Sequence, residues 1–297
     1  MELYATAKEA IKKAGLDYEV VKRDLFTKVH GHGVLPVRNH FATVRMPKDA
    51  TETPVDLGVV GNYYTITQNE EAFDAIDYAN AGNEILFEQA GSMYEGAQIY
   101  VEGVMGDEIG IQKNTTLQKR LILVNSHDGS TKVVVKMFFY DIKNCTYLAF
   151  KLPGYTAELE LKHTKSVKNK LEEGRNILLS ANATFGVVEK VFRELAGRKI
   201  EKGEAVDFIT SLFVPNAAKG ISTRTQNMID AIVAMLEGRK ERTLFDVYVA
   251  ISQYVDGERG KNKDAEMRIN SNWFGSGVSL KERAFDKVVK SLNSVNP

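Results

Sequence analysis

The run Asn125-Ser126-His127-Asp128-Gly129-Ser130 holds the groups from which acid–base or metal-assisted hydrolysis is built: an imidazole, a carboxylate, two hydroxyls and a carboxamide. A catalytic triad is assembled by the fold and not by adjacency in the chain. Asp-Gly is also a strong signal for a two-residue turn between antiparallel strands, and a turn accounts for half of the motif. His30, His32 and His40 form a second group. Histidines at i and i+2 on a strand point to one side and can share a metal, but the flanking glycines favour a loop. In Trp273-Phe274-Gly275-Ser276-Gly277, a Gly-Ser-Gly run enters a helix and could offer backbone N–H groups to phosphate. The lysine and spacing of a P-loop are missing, so an aromatic anchor followed by a flexible cap is the simpler account. Cys145 is the only cysteine, which excludes an intramolecular disulfide and a cysteine-based zinc site. Its expected place is as a small buried residue of an apolar strand.

Phosphate binding has a better candidate in the basic run Lys162, His163, Lys165, Lys168, Lys170 and Arg175. Lys165 and Lys168 are three apart and so neighbours on a helix face. Arg175 lies seven beyond Lys168 on the same side. Lys119 and Arg120, entering a strand, are secondary candidates. Phe138, Phe139 and Tyr140 could supply a stacking face for bases, although alternation must bury some of them. The net charge of the chain is zero, which argues against a strong general nucleic-acid binder. The distribution is less even. Asp49 to Gln112 contains thirteen acids and no Lys or Arg, leaving the remainder of the chain with the matching positive excess. Such asymmetry points to two electrostatically different surfaces.

These residues must be carried by an α+β chain. With 297 residues, 43% apolar and 26% charged, it is long enough for a sizeable core. No apolar stretch is long enough to span a membrane, and the N-terminus lacks the apolar region of a secretory signal. Residues 1–15 read as a helix ending at Gly15, and the segments after it as an extended arm or edge hairpin. Asn69 reads as the cap of a helix ended by Gly82. Two hairpins follow, one through residues 85–105 and one through 117–140 with its turn at Asp128-Gly129. Another strand is expected within Asn144–Phe150. A long helix is expected from Thr164 to Ala196, with Gly174 and Gly186 as sites of kinking or breakage. Helical patterns recur at Val206–Leu212, Thr225–Leu236 and Thr243–Val255, where Thr243 and Asp246 make a variant capping box. A polar loop, DGERGKNKDAEMR, precedes a last helix with Leu280, Ala284, Val288 and Leu292 inward. The expected organisation is an N-terminal helix and arm (1–56), an α+β core (57–198) with a hairpin-rich antiparallel sheet packed on a long helix, and a mostly helical C-terminal region (199–297).

The segments LGVVGNYYTITQNEEAFDAID, FEQAG, LVNSHDGS, KHT before a long helix, YVD and NWFGSGVSLKERA, in that order between Leu57 and Leu292, resemble the phage- and plasmid-borne family of a domain of unknown function (number 932). That resemblance implies a component of mobile-element gene sets, near replication, recombination or anti-restriction functions, and transfers no catalytic residue. The order of helix, hairpins and long helix is also similar to the core of single-strand-annealing recombinases, which hold single strands in a basic groove; this is an analogy of fold. The expectation is therefore a cytoplasmic, mobile-element protein of DNA metabolism in a bacterial host. It would bind or anneal single-stranded DNA, a binding protein more than an enzyme, with no cofactor and no membrane partner, and homo-oligomer formation open. Lys162, Lys165, Lys168, Arg175, Lys119 and Arg120 would contact phosphates. Asn125, His127, Asp128, His163, Trp273, Gly275 and Gly277 are motif residues without an assigned role. The alternatives are a metal-assisted hydrolase or nuclease around His127 and Asp128, and an anti-defence factor that binds proteins.

Overall fold

The computed structural model describes residues 2–82, 84–113, 115–161, 167–214, 220–237 and 241–293. In chain order the elements are α1 (Ala7–Lys13), β1 (Val20–Val29), β2 (Gly33–Arg45), β3 (Val55–Gly61), α2 (Asp74–Ala79), β4 (Ile85–Met93), β5 (Gln98–Met105), β6 (Ile109–Gln112), β7 (Thr115–Ser126), β8 (Val134–Asp141), β9 (Thr146–Leu148) and β10 (Glu158–Glu160). Then come α3 (Val167–Gly197), α4 (Lys202–Phe213), α5 (Thr223–Ala234), α6 (Leu244–Gln253), α7 (Ala265–Trp273) and α8 (Ser276–Asn293). The class is α+β with a helical C-terminal region, as the sequence implies. The chain divides into two compact units: Met1–Gly106 with Arg120–Met137 and Glu158–Ala181, and Asp107–Lys119 with Phe138–Ala157 and Asn182–Pro297.

In the first unit, β1, β2 and β3 form an antiparallel sheet, and a second sheet runs in the order β10-β8-β7-β5-β4. Alternation along β4 and β5 buries Ile85, Phe87, Met93, Ile99 and Val101. Thr6 caps α1 in a reciprocal box with Glu9, and both carboxylate oxygens of Asp77 accept from the N–H groups of Ala7 and Lys8. That carboxylate satisfies two of the donors that every helix start leaves open. Asn69 is no helix cap: α2 begins at Asp74, with Phe73 before it making no side-chain cap. Asn69 is instead buried, where its carboxamide has more partners than one helix end could offer. The glycine at 174 does not break α3. A Cβ there would lie 1.8 Å from the carbonyl oxygen of Ala75, so glycine permits α2 to pack on an unbroken helix. Gly186 lies within the same helix.

The hairpin expected at Asp128-Gly129 is present as β7 and β8, but residues 127–133 form a longer connection in place of a two-residue turn. Asp128 Oδ1 accepts from the N–H of Ser130, an Asx turn that holds the loop open.

In the second unit, β6 pairs with the start of β7, and β9 pairs with the end of β8. The second half of α3 supplies Phe185, Val188 and Phe192, all buried. Phe139 meets Phe185 edge-on at 5.0 Å and Phe192 at 5.1 Å. Phe138 and Phe139 are both buried, because both faces of that strand are covered, so neither offers a stacking surface. Thr243 and Asp246 form the expected capping box of α6, whose Leu244–Ser252 are buried throughout. The polar segment before the last helix is partly helical: α7 starts at Ala265 behind the capping side chain of Asp264. Cys145, expected in a strand interior, is exposed at the β8–β9 turn with a φ of 47°. The Asp141 carboxylate sets that turn by accepting from the N–H groups of Lys143 and Asn144.

Candidate functional site

Two of the conspicuous sequence runs meet in the first unit. The segment after β3 supplies Tyr64, Thr65, Thr67 and Asn69, and the end of β7 with its loop supplies Asn125, Ser126, His127 and Ser130. Of these, Tyr64, Thr67, Asn125, Ser126 and Ser130 line, with Lys132 among others, a cavity of about 530 Å3 whose wall mixes polar groups with apolar surface. That volume lies in the range of small-molecule sites.

The wall is held by a buried relay. His127 Nε2 lies 2.7 Å from Asn69 Oδ1 and donates to it. The same oxygen accepts from Asn125 Nδ2 at 3.1 Å. Asn69 Nδ2 donates to the carbonyl of Leu16, and Asn125 Nδ2 also donates to that of Thr67. The imidazole is fully buried, and burial pushes its pKa down to about 4. His127 is therefore neutral near pH 7, with its proton on Nε2, and Nδ1 has no hydrogen-bond partner among the described residues. Its backbone is fixed too: the N–H donates to Ala97 and the carbonyl accepts from Thr43 Oγ1, each at 2.7 Å. Ser126 Oγ is committed to the backbone of Thr131. The Tyr64 hydroxyl donates to the carbonyl of Ser126 at 2.7 Å, and burial raises its pKa to about 12.

This arrangement positions groups; it does not assemble a nucleophile beside a base. The His127 imidazole hydrogen-bonds to Asn69 and to no hydroxyl or thiol among the described residues, and Asp128 is engaged in its turn. Among the described residues no three His, Cys, Asp or Glu side chains are grouped to hold a metal ion. His30 and His32 sit in the turn between β1 and β2, exposed, and not on one strand face. Asn125 is 1% exposed and lines the cavity, yet its Oδ1 accepts no hydrogen bond within the described residues.

The phosphate-contact candidates separate. Lys162, His163 and Lys165 lie outside the described residues. Lys168 and Arg175 are exposed on α3, whereas Lys170 is half-buried and paired with Asp74 at 2.5 Å. Lys119 is half-buried. Arg120 is buried, with its guanidinium 3.0 Å from Glu88 and 2.5 Å from the fully buried Glu102, so its charge serves the interior of the sheet.

A larger basic surface lies where the sequence suggests only an arm. Lys22, Arg23, Lys28 and Arg38, against the single acid Asp24, decorate the β1–β2 hairpin. Residues 30–40 are exposed throughout, as are Phe26 (61%), Val34 (63%), Leu35 and Val37. The register breaks between Asp24 and Phe26, and Asn39 takes a left-handed φ of 63°. The outer segment pairs Phe26 with Pro36 and Val29 with Gly33. Its signal in the sequence is a run of alternating apolar and basic residues with nothing nearby of matching pattern to cover it.

In the second unit, the Trp273 motif has a packing role. Trp273 ends α7, 4% exposed, with its ring 5.9 Å from that of Tyr147. Gly275 and Gly277 make the tight link into α8, where a Cβ on Gly277 would lie 2.7 Å from the carbonyl oxygen of Ser271. Arg259 donates to the carbonyl and hydroxyl of Ser276. Nearby, the fully buried Lys281 donates to Asp256 Oδ1 at 2.6 Å and to the carbonyl of Tyr147 at 2.7 Å. Burial lowers the pKa of Lys281, and Asp256 opposes the shift. Asp256 Oδ2 accepts from Thr146 Oγ1 and Tyr147 N, so the pair is surrounded by donors and acceptors.

No curated protein and no solved structure matches the chain. One family model does, described as a domain of unknown function (DUF932), and it spans residues 56–274, which include both runs that form the cavity and the first two residues of the Trp273 motif. With most of its length matched, the chain belongs to the DUF932 family.

Proposed function

We propose that the protein binds single-stranded nucleic acid, as a component of mobile-element DNA metabolism. The observation that carries this reading is the β1–β2 hairpin. It combines the exposed Arg23, Lys28 and Arg38 with exposed apolar side chains on a two-stranded ribbon, and isolated apolar patches rimmed by charge mark interaction surfaces. Basic side chains engage the phosphates, and apolar or aromatic groups meet unpaired bases, which need no sequence code. Lys168 and Arg175 on α3 add exposed cations that make no ion pair within the described residues. The metal-hydrolase alternative finds no ligand set there, since His127 is buried against Asn69.

The test is fluorescence anisotropy of a labelled (dT)30 strand against the full chain across a salt series. Binding at low salt is expected, with log K falling linearly against log salt. Lys28→Ala with Arg38→Ala should reduce the slope by roughly 1.4, about 0.7 for each phosphate of a single strand that is no longer neutralised. Absence of binding at low salt would overturn the proposal. Selective capture of a protein partner through Phe26 and Leu35 would then favour the protein-binding alternative.

A further inference from the structure

We infer that the cavity of the first unit receives one nucleobase of the bound strand; this inference rests on the single-strand reading above. Three features converge. The cavity is of ligand size and its wall mixes polar groups with apolar surface, with Asn125 among them. The carboxamide of Asn125 is nine-tenths buried or more, its Nδ2 is committed to Asn69 and Thr67, and its Oδ1 is left as an acceptor without a donor among the described residues. That oxygen is not sealed from solvent, so a donor on a ligand can replace water there. The relay from His127 through Asn69 prevents the amide from turning over, because Asn69 Oδ1 demands a donor from Asn125. The matching group on a base is an exocyclic amino group, as on adenine or cytosine.

At the mouth, Lys132 lines the cavity and pairs with the exposed Glu160, at 2.8 Å. An exposed pair of this type is weak and can exchange its carboxylate for a phosphate. Tyr63, the chain neighbour of the cavity-lining Tyr64, is 97% exposed. A tyrosine left wholly in solvent beside a cavity offers a π-face on which an adjacent base can stack. Acceptor and cation thus line one cavity, and Tyr63 is the chain neighbour of a third lining residue.

The experiment uses the full chain and two probes. The first is dAMP compared with the same nucleotide lacking the 6-amino group, titrated by isothermal calorimetry. The second is a (dT)20 strand carrying one central 8-vinyladenine, which keeps the 6-amino group and whose fluorescence changes when the base leaves its stack. dAMP should bind about tenfold more tightly than its desamino analogue, the size of one added hydrogen bond. Tyr63→Ala and Thr65→Trp, both at exposed positions where folding is spared, should abolish the fluorescence change while leaving salt-dependent binding of the strand. Strand binding with no 8-vinyladenine response and no preference for the amino group would overturn the cavity assignment and leave the hairpin reading intact. Selective dAMP binding without strand binding would support the cavity and remove the single-strand function. Failure of both probes would overturn both.

Discussion

At the scale of single residues, the first unit contains two titrating groups with opposed effects. His127 is held neutral by burial, with its pKa at about 4 against an ordinary 6.5. Between those values the unfolded chain takes up a proton that the folded chain refuses, so His127 costs stability as pH falls, by about 3 kcal/mol across the interval. Asp77 is the reverse. Burial raises its carboxyl from 3.8 to about 6, although Ala7 and Lys8 donate to it. Between those values the folded chain keeps a proton that the unfolded chain loses, so this group adds stability as pH falls, again by about 3 kcal/mol. In the wild type the two slopes nearly cancel between pH 4 and pH 6. Relative to wild type, His127→Gln should become more stable on acidification and Asp77→Asn less stable. Urea midpoints measured at half-unit pH steps check this; parallel profiles for all three proteins would show that neither group is shifted.

At the scale of elements, glycine decides whether α3 can be one helix. Helix propensity alone favours Gly174→Ala by about 1 kcal/mol. The carbonyl of Ala75 stands where the new methyl group would go, and overpacking against backbone costs about 1–3 kcal/mol or more. The substitution should therefore lower stability, by up to about 2 kcal/mol after the propensity gain is set against it, whereas Gly186→Ala, with open space around it, should raise it. Thermal unfolding followed by circular dichroism separates the two. The β1–β2 hairpin shows the same dependence on neighbours: its inner end pairs with β3 and is partly buried, and its outer end has no third strand among the described residues.

At the scale of the whole molecule, the acidic window is less of a surface than its charge suggests. Glu70 pairs with Lys12, Asp74 with Lys170, Glu88 and Glu102 with Arg120, and Asp77 serves the start of α1. Three of the thirteen negative charges are thus neutralised from outside the window, and Arg23, Lys28 and Arg38 of the hairpin remain exposed. The sequence isoelectric point is near 7.0. Zero net charge together with exposed Phe26, Val34 and Leu35 should make self-association greatest near pH 7 at high protein concentration. Dynamic light scattering should show smaller particles at pH 8.5, and Phe26→Ser with Leu35→Ser should shrink them at pH 7. Size independent of pH and of these substitutions would place the association elsewhere.

Local patterns determined most of the elements. The 3.6-residue recurrence of Leu178, Phe185, Val188, Phe192 and Leu195 specifies α3, the Thr243–Asp246 box starts α6, and apolar runs between turn residues specify β4, β5 and β7, because each signal lies within a few residues of the backbone it governs. The motif residues Asn125, His127 and Asp128 are visible in the same way, as is the cationic run on α3. What the tertiary structure alone decided is which polar residues meet. Asn69 is a helix cap by its local sequence and the centre of a buried relay in the fold, because Asn125 and His127 reach it from 56 and 58 positions away. Arg120 is a surface cation by charge and an interior one by its contacts with Glu88 and Glu102. Burial and hydrogen bonding between distant segments depend on packing that no window of sequence contains, and those are the interactions that set protonation, leave Asn125 Oδ1 without a donor among the described residues and shape the cavity.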